Sequence, residues 1–175
     1  MPTVAFSLII VFFVVFLFIG FTYINNRQKK KTTAMLLSQL SKTGARNNFS
    51  FSSHELLNDS ILGLDAMRLK LLILQQSYGD SYEWNIIDLE MVKNCSVKKI
   101  YKPFLEGNSR EKKIENYLDK IVLHFEFTDN RESREVNFYR HITNSIFEMR
   151  ELEQKAKKWE SLLLQMKGNK LKLRA

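Results

Sequence analysis

The sequence is poor in the residues that build most catalytic and metal sites. It has one cysteine, Cys95, and three histidines that lie far apart in the chain, His54, His124 and His141. A single cysteine cannot form an intramolecular disulfide or a cysteine-rich zinc site, and a buried, inert thiol is the expectation for Cys95. No glycine-rich phosphate loop, dinucleotide fingerprint or nucleophile elbow is present. The sequence therefore predicts no enzyme, no catalytic residue, no metal and no cofactor.

Charge is missing from the first 24 residues and is uneven in the rest. Lys and Arg number 27 against 19 Asp and Glu, for a net charge of +8. Eight of the basic residues lie in two short segments, namely Arg27, Lys29, Lys30, Lys31 and Lys167, Lys170, Lys172, Arg174. The rest of the chain is balanced, which argues against a nucleic-acid-binding face.

One long apolar run, VAFSLIIVFFVVFLFIGFTYI, occupies residues 4–24. At about 1.5 Å per residue it would span roughly 31 Å as a helix, which matches a hydrocarbon core of about 30 Å. A cleavable signal peptide is the alternative, but residues 1–3 carry no positive side chain and no small-residue cleavage site follows Ile24. The run predicts a transmembrane helix and an integral membrane protein.

The residues after this run predict its orientation. Basic residues flank membrane helices on the cytoplasmic side, and tyrosine favours the membrane interface. We expect a single-pass protein of the cell membrane, with residues 1–3 outside and the C-terminal domain in the cytoplasm. The predicted membrane-interface residues are Tyr23, Arg27, Lys29, Lys30 and Lys31.

Residues 25–48 predict a basic juxtamembrane stalk. Apolar residues between Met35 and Leu40 share one side of a helix, and Gly44 is its expected C-terminal end. A flexible linker is the alternative for this segment. At the other end of the chain, residues 168–175 form a predicted basic tail.

Alternating apolar residues predict antiparallel strands between the stalk and the last quarter of the chain. The clearest segment is KIVLHFEFTD, in which every second residue from Ile121 to Phe127 points to one face. His124 is expected on the opposite, solvent-exposed face. The charged segment 106–120 is expected to be a solvated loop.

The chain closes with a predicted amphipathic helix. Its apolar residues recur at helical spacing, at Ile146, Met149, Leu152, Ala156, Trp159, Leu163 and Met166. Ser145 and Glu148 stand at the spacing of a capping box, and Gly168 is the expected end. The apolar face predicts packing onto the sheet, and a coiled-coil homo-oligomer is the alternative.

These elements resemble the pleckstrin-homology superfold. The resemblance rests on ILGLDAMRLKLLIL as a first hairpin, on IIDLEMVKNCSVKKIY and KIVLHFEFTDNRESREVNFY as later strands, and on ELEQKAKKWESLLLQM as the closing helix. The predicted fold class is a single-pass transmembrane helix followed by an α+β cytoplasmic domain over residues 49–167. That domain is a small antiparallel sheet or barrel closed by a long C-terminal helix. Its expected core includes Phe125, Phe127, Phe138 and Trp159.

The resemblance implies a non-catalytic binding module. Our first hypothesis is a membrane-anchored cytoplasmic module that binds a protein partner of unknown identity at the membrane. The alternative is a domain that binds or senses anionic lipid headgroups, although only Arg68 and Lys70 approach the basic motif of phosphoinositide-binding members. The predicted contact residues, for lipid or partner, are Arg68, Lys70, Lys98, Lys99 and Lys102.

Overall fold

A computed structural model describes residues 2–77, 81–106, 113–129 and 131–174 of the chain. In parts of the first helix and in the segments next to residues 107–112 and 175, the description covers the backbone alone. The chain divides into two compact units, Met1–Asn48 and Phe49–Ala175.

The first unit is one helix, α1, Pro2–Arg46. It passes Gly44, so the predicted end at that glycine is wrong. The Asn47 side chain donates to the Thr43 carbonyl at 2.8 Å, and Asn48 adopts the left-handed conformation with φ of 56°. Asparagine tolerates this conformation at a helix C-terminus, so the two asparagines end the helix.

The predicted transmembrane helix at residues 4–24 is wrong, and the single-pass fold class is wrong with it. In the part of the chain that the structure describes, no helix is long and apolar enough to cross a membrane. Arg27, Lys30 and Lys31 follow in the same uninterrupted helix. The remaining side chains of residues 4–24 lie outside the described residues.

The second unit contains two antiparallel sheets and a C-terminal helix. The first sheet has the order β1-β2-β3-β4 and the second β5-β6-β7, so every neighbour in a sheet is also a neighbour in sequence. The strands are β1 Ser53–Leu56, β2 Ser60–Asp65, β3 Lys70–Gln76, β4 Tyr82–Asp88, β5 Val92–Glu106, β6 Lys113–Phe127 and β7 Arg134–Arg140. A short 3-10 helix, Ile146–Glu148, leads into α2, Met149–Arg174. The prediction of one small sheet or barrel is corrected to two sheets.

The loop predicted over residues 106–120 is largely a strand. β6 begins at Lys113 and pairs with the far half of β5, where Glu106 lies opposite Lys113 and Pro103 opposite Asn116. Backbone pairing with a neighbouring strand requires no apolar side chains, so the charged sequence concealed this extension. Residues 107–112 lie outside the described residues.

Both sheets and α2 contribute to one core. Phe125 and Phe138 of the second sheet are buried with Leu64 and Leu71 of the first, and Phe127 packs half-buried against them. Trp159 of α2 is 3% exposed, and its indole N–H donates to Glu55 Oε2 at 3.3 Å. Each such buried apolar side chain stabilises the fold by about 1.5 to 3 kcal/mol.

Candidate functional site

The two antiparallel sheets have four edge strands, β1, β4, β5 and β7, and these edges differ in what lies beside them. The outer edge of β5 is occupied by α2: the Val97 N–H donates to Glu160 Oε1 at 2.9 Å. At the end of β7, the Arg140 N–H donates to Asn144 Oδ1 of the following turn at 2.9 Å, so this edge group already has a partner. β1 has only four residues. β4 is the longest edge of the first sheet and the strongest candidate for contact with another molecule.

The hydrogen bonds that flank β4 show which of its residues face outward. Leu89 N–H donates to the Leu69 carbonyl, and Ser77 N–H donates to the Ser81 carbonyl. In an antiparallel pair, residues that exchange hydrogen bonds alternate with residues that do not. Counting along the register from both ends, the residues that turn their backbone N–H and C=O away from β3 are Tyr82, Trp84, Ile86 and Asp88. The Asp88 carbonyl accepts from the Met91 N–H, so the first three are the candidate contact residues.

The side chains of β4 add an exposed aromatic group to this edge. Trp84 is 54% exposed, Glu83 and Asn85 are also exposed, and Ile87 on the opposite face is buried in the core. Native proteins usually protect an edge with lysine, proline or a bulge, and β4 contains neither lysine nor proline. A tryptophan beside outward backbone groups suits binding of an extended chain.

A cleft of about 400 Å³ adjoins this edge. One wall is formed by Asn85 to Asp88 of β4, and Phe127, Arg131 and Arg134 contribute from the second sheet and its loop. Arg131 lies over the Phe127 ring at 5.9 Å and pairs with Asp129. The cleft provides space for side chains of a strand that pairs with β4.

Three of the four lysines predicted to contact lipid or a partner form ion pairs. All three lie on β5, and their Nζ atoms lie 3.6 Å (Lys98 to Glu126), 2.8 Å (Lys99 to Glu153) and 3.0 Å (Lys102 to Asp119) from carboxylate oxygens. Hydrogen bonding to Glu153 raises the pKa of Lys99, and hydrogen bonding to Asp119 raises that of Lys102. Each of these three lysines therefore has a carboxylate neighbour within the domain.

The other two predicted contact residues lie in the first sheet. Arg68 belongs to the turn between β2 and β3, and its backbone N–H donates to Asp65 Oδ1 at 3.0 Å. Lys70 begins β3 opposite both Asp65 and Asp88. The structure therefore divides the predicted set between two sheets.

The predicted membrane-interface residues all belong to α1. Arg27, Lys30 and Lys31 have exposed side chains, whereas the side chains of Tyr23 and Lys29 lie outside the described residues.

Cys95 of β5 and His124 of β6 are both buried in the second sheet. Cys95 is buried, and burial together with the Glu160 charge raises its pKa to about 12, so the thiol stays protonated near neutral pH. His124 was expected on a solvent-exposed face but is 8% exposed, because Glu135 at 3.3 Å and Glu126 at 3.6 Å lie against its ring. Among the residues that the structure describes, no cluster of three or more His, Cys, Asp or Glu could hold a metal.

A second exposed apolar surface lies in the turn between β7 and α2. Ile142 is 88% exposed, Ile146 62% and Phe147 92%. The turn is held by the capping box of Ser145 and Glu148. It offers exposed apolar side chains but no open strand edge, so it serves as a comparison for β4.

The chain matches no family model, no curated protein and no solved structure.

Proposed function

We propose that the domain formed by residues 49–175 is a non-catalytic interaction module that binds a protein partner. The partner adds an extended segment to β4 as a fifth strand of the first sheet. The observation that carries this proposal is the outward backbone of Tyr82, Trp84 and Ile86, next to an exposed tryptophan. Strand addition obtains affinity from main-chain hydrogen bonds and specificity from side chains at alternate positions.

The energetics of such an edge suit a specific complex. Each net backbone hydrogen bond contributes about 0.5 to 1.5 kcal/mol. Three outward residues supply six donor and acceptor groups. A tryptophan that becomes buried at an interface commonly contributes 2 kcal/mol or more on truncation.

The element order supports a pleckstrin-homology-like architecture as part of the same proposal. A four-stranded sheet is followed by a three-stranded sheet and then by a helix with an inward Trp159. Domains of this type are binding modules, and peptide recognition is one of their roles. This support concerns the architecture, whereas the site itself is proposed from the β4 edge.

The ion pairs weigh against the alternative of anionic-lipid binding. Lys98, Lys99 and Lys102 would have to give up Glu126, Glu153 and Asp119 to reach a phosphate. Attraction to an anionic membrane requires several uncompensated basic residues, at about 1 kcal/mol each.

The direct test is partner capture with variants of the outward edge. The full chain should retain a specific partner that Ile86→Pro loses, because proline removes the outward N–H while inward bonds of β4 to β3 remain. Trp84→Ala should raise the Kd of the same interaction at least about 30-fold, because truncating a buried interface tryptophan commonly removes about 2 kcal/mol of binding free energy.

Phe147→Ala is the matched control, since it removes an exposed aromatic side chain away from β4. It should leave capture unchanged. Binding that survives Ile86→Pro and Trp84→Ala, or that depends on Phe147 instead, would reject β4 as the site. Capture of anionic vesicles in place of a protein would favour the lipid alternative.

A further inference from the structure

A separate cavity of about 120 Å³ lies between the end of α2 and the start of β5. Its walls are largely apolar, with contributions from Leu69, Leu89, Val92, Phe125, Leu163 and Met166. Buried Cys95 also lines the cavity. The raised pKa of Cys95 keeps its thiol neutral. Apolar cavities of about 150 Å³ in other proteins stay dry and bind benzene, so this one is near the size of a six-membered ring.

One cation lines the same cavity. The Lys167 ammonium donates to the carbonyls of Val92 and Lys93, at 2.7 and 2.6 Å. These carbonyls lie at a register shift between Val92 and Asn94, where β5 departs from regular pairing with β6. These two hydrogen bonds hold the Lys167 ammonium group in place at the cavity.

We propose that this cavity binds a small carboxylate whose apolar part is a single ring or a chain of similar size. The apolar walls take the ring, and an ammonium group has three donors, of which the two carbonyls use two. The third N–H of Lys167 donates to the ligand carboxylate in a charge-assisted hydrogen bond. Glu90, an exposed residue at the same cavity, opposes an anion, so the lysine contact must outweigh it.

Three probes of one shape separate the contributions of ring and charge. Titration of the full chain with benzoate, benzene and benzylamine, followed by the NMR shift of the Met166 methyl group, should rank affinity in that order. Lys167→Met should raise the Kd of benzoate by about tenfold or more, as expected for loss of a hydrogen bond to a charged group. The Kd of benzene should change by less than about twofold. Lys158→Met, an exposed position on the same helix, should change neither.

Leu164→Trp provides a second variant that does not depend on charge. Leu164 lines the cavity yet is 45% exposed, so a larger side chain there can fill the cavity without disrupting the core. It should abolish binding of both benzoate and benzene. Equal binding of benzoate by wild type and Lys167→Met, tighter binding of benzylamine than benzoate, or no binding of any probe would overturn the proposal.

Discussion

At the scale of single residues, Asp65 is the most deeply buried carboxylate among the residues that the structure describes. It is fully buried, Oδ2 accepts from the Ser50 N–H at 2.9 Å, and Oδ1 accepts from the Arg68 N–H at 3.0 Å. Burial alone would raise its pKa, but the hydrogen bonds from Ser50 and Arg68 and the Arg68 charge together hold the pKa below the usual 3.8. The carboxylate thus fastens the β2–β3 turn to the segment before β1.

Asp65→Asn should lower the free energy of unfolding by about 2 to 3 kcal/mol, because an amide has one acceptor oxygen for two backbone donors. Urea denaturation of both chains measures the difference. Asp88→Asn is the matched control: its carboxylate accepts one exposed N–H, from Glu90, so the loss should stay below about 1 kcal/mol. Equal losses at the two positions would contradict the role given to Asp65.

The lowered pKa of Asp65 also predicts a pH dependence. As pH falls, the unfolded chain binds the proton first, at about pH 4, and the folded chain binds it at lower pH. The contribution of this carboxylate is therefore present above about pH 4 and is lost as pH falls through the folded pKa. Urea midpoints between pH 2 and 7 should show a steeper acid loss for wild type than for Asp65→Asn. Parallel curves would contradict the assignment.

The residues singled out for contact show what a sequence can and cannot predict at this scale. The sequence identifies Lys99 and Lys102 as basic residues of a strand. It does not identify their ion-pair partners, because Glu153 lies on α2 and Asp119 on a neighbouring strand. The pairing of these lysines with carboxylates is a result of tertiary structure.

At the scale of elements, helical spacing predicted the buried face of α2. Leu152, Ala156, Trp159 and Leu163 are all buried in the core. The predicted end at Gly168 was less successful, because the helix continues to Arg174. Core packing leaves a periodic pattern in the sequence, and the prediction of the helix end relied on the glycine alone.

The start of this helical segment provides a test at the same scale. Ser145 Oγ accepts from the Phe147 N–H, and Glu148 Oε2 accepts from the Ser145 N–H at 3.1 Å. Ser145→Ala should cost about 1 kcal/mol, as is typical for a helix cap, and should lower the melting temperature. Calorimetry of this variant beside Ser161→Ala measures the cap itself.

Ser161 is exposed within α2, where alanine is the better helix former, so Ser161→Ala should be neutral or slightly stabilising. If both variants lose the same stability, the cap has no special role.

At the scale of the whole molecule, alternation of apolar residues indicated antiparallel strands but not their division into two sheets. Edge status is a property of the assembled sheet, so no feature within YEWNIID identifies β4 as an edge. The prediction of a membrane-spanning helix relied on the length and composition of one apolar run and is contradicted for the described part of the chain. The β4 site is therefore a feature that the assembled fold provides.

The most direct test of strand addition to β4 is amide hydrogen exchange of the full chain, alone and with the partner that Ile86→Pro fails to retain. In the free chain, the outward amides of Tyr82, Trp84 and Ile86 should exchange faster than the inward amides of Glu83, Asn85 and Ile87. With the partner bound, the outward amides should become as protected as the inward ones. Protection that appears elsewhere while Trp84 and Ile86 continue to exchange rapidly would contradict the proposed function.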